Sequence, residues 1–170
     1  MKTVVLMRHA KAVGESPDGR DFSRGLADKG RGRAALTAEV LRDAGVNVHR
    51  ILTSSAARTV ETTEVVAPIL CPDAVVIPVN ELYLAPGPTY VSVLHRMADE
   101  DEEGVLFVGH NPGIAWLMTQ LAGMVLEVPT ATATVFQCSC DSWKDITLER
   151  SADVQLQHVV LRGELHSPTP

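Results

Sequence analysis

The sequence predicts a single three-layer α/β/α domain, with a mostly parallel central sheet and late strands that run partly antiparallel. Strand-like and helix-like segments alternate through most of the 170 residues. The last third is β-rich and has no clear helix between its strands. Hydrophobic residues make up 45% of the chain and aromatic residues only 4%, so the composition supports one mostly aliphatic core.

The first elements are a short strand and a helix joined by a loop. Residues 3–7 are aliphatic or β-branched, which predicts a buried strand. Polar, glycine and proline residues at 14–24 predict a loop. Residues 27–44 predict a helix with one apolar side, which Asp28 caps and Gly45 closes.

The alternation continues with two strands around a second helix. Residues 49–53 predict the second strand. Residues 56–70 predict a helix that Ser54 or Ser55 caps. Residues 74–79 predict the third strand of the sheet.

A loop, two helices and one strand make up the next part. Residues 80–88 predict a loop, and residues 89–98 predict a helix. Residues 104–109 are apolar at nearly every position, which is typical of a fully buried strand. Residues 111–123 predict a helix with Pro112 in its first turn.

Two late strands and a tail complete the predicted domain. Residues 132–140 and 154–161 predict strands that pair antiparallel at one edge of the sheet. We expect residues 1–165 to form the single domain and residues 166–170 to form a loose tail.

Polar side chains follow three of the predicted strands. They are Arg8 and His9 after the first strand, Ser54 and Arg58 after the second, and His110 and Asn111 after the fourth. Because the carboxyl ends of parallel strands share one edge of a sheet, these side chains can converge on one pocket. Arginine guanidinium groups offer paired donors to phosphate oxygens, and the helix that starts near residue 56 adds its positive end. The pattern therefore predicts a phosphate pocket with a histidine nucleophile.

Net charge, cysteine content and hydropathy limit the partners and the compartment that we expect for this protein. The net charge of −6 disfavours a wide contact with nucleic acid. No stretch approaches the roughly 18 apolar residues of a membrane span. The three cysteines form no regular framework, which favours reduced thiols in a cytoplasmic protein. No cluster has the spacing of metal ligands, so we expect no metal and no cofactor.

Three motifs in this order resemble the histidine phosphatase superfamily, which has the phosphoglycerate mutase-like fold. They are R-H-A at residues 8–10, T-S-S-A-A-R-T at 53–59 and G-H-N-P at 109–112. The short length and the segment D-F-S-R-G-L at 21–26, followed by Lys29-Gly30, are most similar to the SixA-type phosphohistidine phosphatases. Those proteins lack the large inserted domain of the mutases, and the stretch between the third and fourth strands here is too short for one.

The resemblance implies a role for each matching residue. His9 corresponds to the nucleophile that becomes phosphorylated, and it must be neutral at the attacking nitrogen. Arg8, Arg58 and His110 correspond to the residues that hold the phosphoryl group. Ser54 and Asn111 are further candidates, the first also explained by helix capping and the second by loop orientation.

The general acid has more than one candidate. Glu81 falls where phosphomonoesterase members of the family carry a proton-donating glutamate, but it could also be an ordinary loop residue. Asp21 and Arg24 are alternatives: Arg24 could bind substrate, or the two could pair with each other. A phosphohistidine substrate needs less help from an acid, because its protonated imidazole is already a good leaving group. Loops 11–24 and 80–88 are expected to line the entrance.

These observations together predict a metal-independent phosphatase that works through a phosphohistidine intermediate on His9. The substrate is expected to be phosphohistidine on a protein or a small phosphate monoester, with no nucleic acid or membrane as partner. Mutase-type phosphotransfer and a non-catalytic phospho-ligand binding module are the alternatives.

Overall fold

A computed structural model describes residues 1–148 and 153–168 of the chain. It confirms the α/β prediction: seven strands form one sheet in the order β3-β2-β4-β1-β5-β6-β7. The strands are β1 (Lys2–Arg8), β2 (Arg50–Ser54), β3 (Val75–Val79), β4 (Gly104–Gly109), β5 (Ala133–Cys138), β6 (Val154–Leu161) and β7 (Glu164–His166). Four α-helices lie in the described part: α1 (Asp28–Asp43), α2 (Ala57–Leu70), α3 (Gly87–Met97) and α4 (Gly113–Ala122).

The first four strands of the chain are parallel, and their order in the sheet places three strand ends side by side. β1 pairs with β4 so that Arg8 lies opposite Gly109, and β4 pairs with β2 so that Val108 lies opposite Thr53. The residues that follow β1, β2 and β4 therefore emerge at one edge of the sheet. This register is what brings His9 and His110 together.

Apolar side chains fill the space on both faces of the sheet. One cluster joins Leu6 and Phe107 to residues of α3 and α4, such as Tyr90 and Leu117. The other joins Met7 to residues of α1 and α2. Every residue of β4 is buried, as its apolar sequence predicts. The result is the expected three-layer arrangement, in which the core fixes the strand ends that carry the polar side chains.

The predicted helix caps differ from those in the structure. Ala27 and Ala56 occupy the N-cap positions of α1 and α2, and no side chain caps either helix. Asp28 is instead the first residue of α1, where its negative charge interacts favourably with the positive end of the helix dipole. Gly45 closes α1 as predicted, with a φ of 75° and an N–H that donates to the carbonyl of Arg42.

The late strands pair antiparallel as predicted. β5 runs antiparallel to β1, β6 to β5, and β7 to β6. β7 was not predicted, and its last residue is His166, the first residue of the predicted tail. Residues 169 and 170 of that tail lie outside the described part of the chain. No helix among the described residues is long and apolar enough to cross a membrane.

Candidate active site

A cavity of about 430 Å³ lies at the sheet edge where β1, β2 and β4 end. Most of the predicted polar residues line it: Arg8, His9, Asp21, Arg24, Arg58, His110 and Asn111. Lys11, Ala12, Leu84 and Thr130 complete the lining. Three arginines and one lysine face a single carboxylate there, so the cavity has the charge expected of an anion site.

His9 sits at the centre of this cavity with its ring orientation fixed by two contacts. Its Nδ1 lies 2.8 Å from the carbonyl oxygen of Ala10. Its Nε2 lies 3.3 Å from Nε of Arg58. A guanidinium N–H can only donate, so Nε2 accepts and Nδ1 carries the proton that the Ala10 carbonyl accepts. The lone pair of Nε2 therefore faces the cavity wall formed by Arg58.

The surroundings of His9 favour its neutral form. Burial is the main reason that the pKa of His9 falls to about 4, and the nearby charges of Arg58 and Arg8 lower it further. The hydrogen bond to the Ala10 carbonyl opposes this shift only in part. At neutral pH the imidazole is thus uncharged, as an attacking nitrogen must be.

His110 lies next to His9, with 5.3 Å between the ring centroids. Its Nε2 is 2.8 Å from Oγ of Ser54, and both side chains are buried. Burial, followed by the charge of Arg58, lowers the pKa of His110 to about 3. Its Nδ1 is buried and has no hydrogen-bond partner among the described residues, so it can bind a ligand oxygen.

Ser54 does not line the cavity, although we expected it to touch the phosphate. Its side chain is fully buried behind His110, and its Oγ accepts a long hydrogen bond from the N–H of Ala56 at 3.4 Å. Ser54 is the last residue of β2, and its hydroxyl is used to hold the His110 ring. Ser54 therefore contacts His110 and does not line the cavity where a phosphate would bind.

Arg58 is almost completely buried, at 2% exposure, and it links both halves of the site. Besides its contact with His9, its Nη1 donates to the carbonyl of Asp21 at 2.8 Å and its Nη2 to the carboxylate at 3.0 Å. It is the second residue of α2, in the buried first turn of that helix. A buried arginine held at fixed distances is suited to bind phosphate with little reorganisation.

Asp21 is the one carboxylate in the described lining of the cavity, and it is strongly paired. The hydroxyl of Tyr83 donates to it at 2.8 Å, and Arg24 donates through Nε and Nη2 at 3.0 and 2.8 Å. The Tyr83 hydrogen bond, together with those from Arg24 and Arg58, holds the pKa of Asp21 far below its usual range. Arg24 and Asp21 thus both line the cavity and pair with each other.

Arg8 and Asn111 share an anchor on the far side of the cavity. Nη1 of Arg8 donates to the carbonyl of Val128 at 2.9 Å, and Nδ2 of Asn111 donates to the same oxygen at 3.1 Å. Nε of Arg8 is buried and has no partner in the described part of the chain. This donor remains available to an anion, whereas Asn111 fixes the loop that follows β4.

Glu81 lies away from the cavity, which contradicts its predicted position as the proton donor. It belongs to a single 3-10 turn (Asn80–Leu82), and its side chain is 57% exposed. Its Oε1 accepts a hydrogen bond from Nη2 of Arg96 in α3 at 2.6 Å. The turn directs Glu81 toward α3, while Tyr83 and Leu84 of the same loop reach the site.

Tyr83, Lys11 and Thr130 contribute to the site but were not predicted individually. Tyr83 packs edge-on against His110, with ring centroids 5.5 Å apart. The loops that carry Tyr83 and Lys11 were expected at the entrance, but no pattern within them distinguishes these residues. Thr130 lies in a segment for which the sequence predicted no function. Among the described residues, no group of three or more His, Cys, Asp or Glu side chains could hold a metal ion.

Comparisons with known proteins identify solved structures of the same fold and a protein of similar sequence. A protein from Agrobacterium tumefaciens assigned as the phosphohistidine phosphatase SixA is 31% identical, with a TM-score of 0.70 over 79% of this chain and 90% of that one. A protein from Nakamurella multipartitia with the same assignment is 28% identical, with a TM-score of 0.79 over 93% and 94%. An uncharacterized chloroplastic protein of Arabidopsis thaliana is 26% identical over 158 residues, 85% of this chain and 70% of that protein. No family model matches the sequence.

These similarities agree with the order of strands and with the motifs at the strand ends. The fold is phosphoglycerate mutase-like, and its neighbours are phosphatases. The enzyme is a hydrolase that acts on phosphoric bonds. On these grounds the chain belongs to the histidine phosphatase superfamily, among its SixA-type members.

Proposed function

We propose that the protein hydrolyses phosphohistidine on a protein substrate, with His9 as the nucleophile. The observation that carries this proposal is the state of the carboxylate in the cavity. Asp21 is ionised and paired with arginines, and Glu81 points away, so neither is suited to protonate an alkoxide leaving group. A leaving group that needs no carboxylic acid fits this cavity best.

Phosphohistidine supplies such a leaving group. In the first step, Nε2 of His9 gives up its long contact with Nε of Arg58, and its lone pair attacks phosphorus while the P–N bond of the substrate breaks. The electron pair of that bond goes to the substrate imidazole, which already carries a proton on its other nitrogen and leaves as neutral imidazole. In the second step, water attacks phospho-His9, releases inorganic phosphate and restores the neutral His9 ring.

The hydrogen-bond donors around the cavity are placed to stabilise the negative charge on the phosphoryl oxygens in both steps. Arg8 and Arg58 bind the equatorial oxygens of the phosphoryl group. The Ser54 hydroxyl donates a hydrogen bond to Nε2 of His110, which leaves the ring proton on Nδ1, and Nδ1 donates it to a phosphoryl oxygen. Arg24 adds a further cation at the cavity wall. Asp21 keeps the guanidinium of Arg58 in position beside His9. The known neighbours are phosphatases, which favours hydrolysis over mutase-type transfer and over a non-catalytic binding module.

A comparison of two substrates tests the proposal. A peptide phosphorylated chemically on one histidine should give a kcat/KM at least about 100-fold above that of the same peptide with phosphoserine at that position, because the serine alkoxide needs an acid to leave and the pre-protonated imidazole does not. Glu81→Gln should leave both activities unchanged, and Arg96→Gln, which removes its partner, is the matched control. Efficient ester hydrolysis that is lost in Glu81→Gln alone would contradict the proposal and favour small phosphate monoesters.

A further inference from the structure

A second cavity, of about 250 Å³, joins the active site along one wall. We call it the basic groove, and Lys11, Lys29, Arg33 and Arg162 line it together with Pro129 and Thr130. Lys11 and Thr130 line both cavities, so the groove adjoins the active site. Four cations thus face one groove in a chain whose net charge is −6. Such a local concentration of one charge attracts a ligand of the opposite charge.

The cations of the basic groove are only weakly engaged by the protein itself. The ammonium groups of Lys11 and Lys29 have no hydrogen-bond or ion-pair partner among the described residues. Nη1 of Arg33 donates to the backbone carbonyl of Arg162. Arg162 pairs with Glu127 at 2.8 Å, but both side chains are about two-thirds exposed, so this pair is weak. The groove therefore keeps an uncompensated positive charge.

Three of the cations that line the basic groove stand at positions where they reduce local stability. Lys29 and Arg33 are four residues apart in α1 and lie on the same face, where like charges repel by a few tenths of a kcal/mol. Arg162 has a φ of 54° in the two-residue turn between β6 and β7, and Gly163 follows it with a φ of 85°. A turn with two positive φ values prefers Asn before Gly. Arginine at this position supplies the groove with charge at a local structural cost.

We infer that the basic groove binds carboxylates in an acidic segment that flanks the phosphorylated histidine of the protein substrate. This inference rests on the proposed function, since it assumes that the phosphoryl group enters the adjoining cavity. Lys11 and Lys29 are exposed side chains without a buried clamp such as Arg58, and they suit several carboxylates along an extended segment better than a second phosphate. A polypeptide that leaves the active site past Lys11 and Thr130 enters the groove directly.

A pair of peptides tests this inference. Both carry one chemically phosphorylated histidine; one has Glu and Asp on both sides, and the other has Gln and Asn at the same positions. The wild type should hydrolyse the acidic peptide with a kcat/KM about 10-fold higher at low ionic strength, and salt should reduce the difference. In the double variant Lys29→Gln/Arg33→Gln, the kcat/KM for the acidic peptide should fall about two- to five-fold per cation removed, and the kcat/KM for the neutral peptide should not change.

Two further variants separate recognition from folding. Arg42→Gln removes one cation from the other end of α1, where Arg42 pairs with Asp43, and should leave the peptide preference unchanged. Arg162→Asn should stabilise the turn against urea and yet lower the kcat/KM for the acidic peptide. A purely structural role for Arg162 would not give these opposite effects.

Binding of the unphosphorylated acidic peptide, measured by fluorescence anisotropy, tests the groove without turnover. Weaker binding of this peptide to Lys29→Gln/Arg33→Gln than to Arg42→Gln supports the inference about the groove, whether or not the phosphopeptides are hydrolysed. Failure to hydrolyse either phosphopeptide would overturn only the proposed function. Equal hydrolysis of both peptides by the wild type, or equal losses in the two variants, would overturn the inference about the groove.

Discussion

Acidification from about pH 7 to about pH 5.5 should destabilise the folded protein through His9 and His110. The pKa of each is lowered on folding, from 6.5 to about 4 for His9 and to about 3 for His110. At about pH 5.5 the unfolded imidazoles are roughly 90% protonated while the folded ones remain neutral, so the unfolded state binds more protons. Each histidine then lowers the free energy of unfolding by roughly 1 kcal/mol over this range, and the two together by roughly 2 to 3 kcal/mol.

Urea unfolding followed by circular dichroism at both pH values measures this loss. In His9→Asn the loss of unfolding free energy between the two pH values should shrink by roughly 1 kcal/mol, whatever the variant does to stability at neutral pH. Gly32→Ala, which changes no titratable group, serves as the control and should keep the wild-type pH dependence. The same loss in wild type and His9→Asn would refute the reasoning that burial keeps the His9 ring neutral.

Two other predictions follow from the packing of the site and of α1. Ser54→Ala removes the hydroxyl that holds His110, and we expect kcat to fall about five- to ten-fold, the equivalent of one hydrogen bond, with little change in KM. A larger change in KM than in kcat in steady-state kinetics would argue against this role. Gly30→Ala should destabilise the protein by more than about 1 kcal/mol, because the added Cβ would lie 2.1 Å from the carbonyl oxygen of Lys11. In Gly32→Ala, in the same helix, the added Cβ would have no other atom within 4 Å, so this variant should stabilise the protein by up to about 1 kcal/mol. Thermal unfolding measures the change in stability of both glycine variants.

The sequence predicts the strand ends well because they depend on local patterns. Buried runs such as Gly104–Gly109 have no polar residue to interrupt them, so the chain must turn where His110 begins the polar segment. Parallel pairing then places His9 and His110 at one edge, whatever the loops do. The meeting of His9 and His110 at one edge of the sheet was therefore predictable from residue order and strand type.

The loop contacts were not predictable in the same way. Glu81 and Tyr83 are two residues apart, yet one 3-10 turn sends Glu81 to Arg96 and Tyr83 to Asp21. Which of them faces the cavity depends on how loop 80–88 packs on α3, and no periodicity in the sequence encodes that packing. The inward position of Ser54 is a similar case, since its hydroxyl bonds to a ring 56 residues away in the chain.

Detection of phosphate on His9 tests the central claim most directly. Rapid mixing with a phosphohistidine peptide, followed by alkaline quench and mass spectrometry of proteolytic fragments, should find one phosphoryl group on the fragment that contains His9. The label should be stable in alkali and lost in acid, as a P–N bond requires, and His9→Asn should show neither label nor turnover. Turnover that continues in His9→Asn, or label on any other residue in the wild type, would contradict the account.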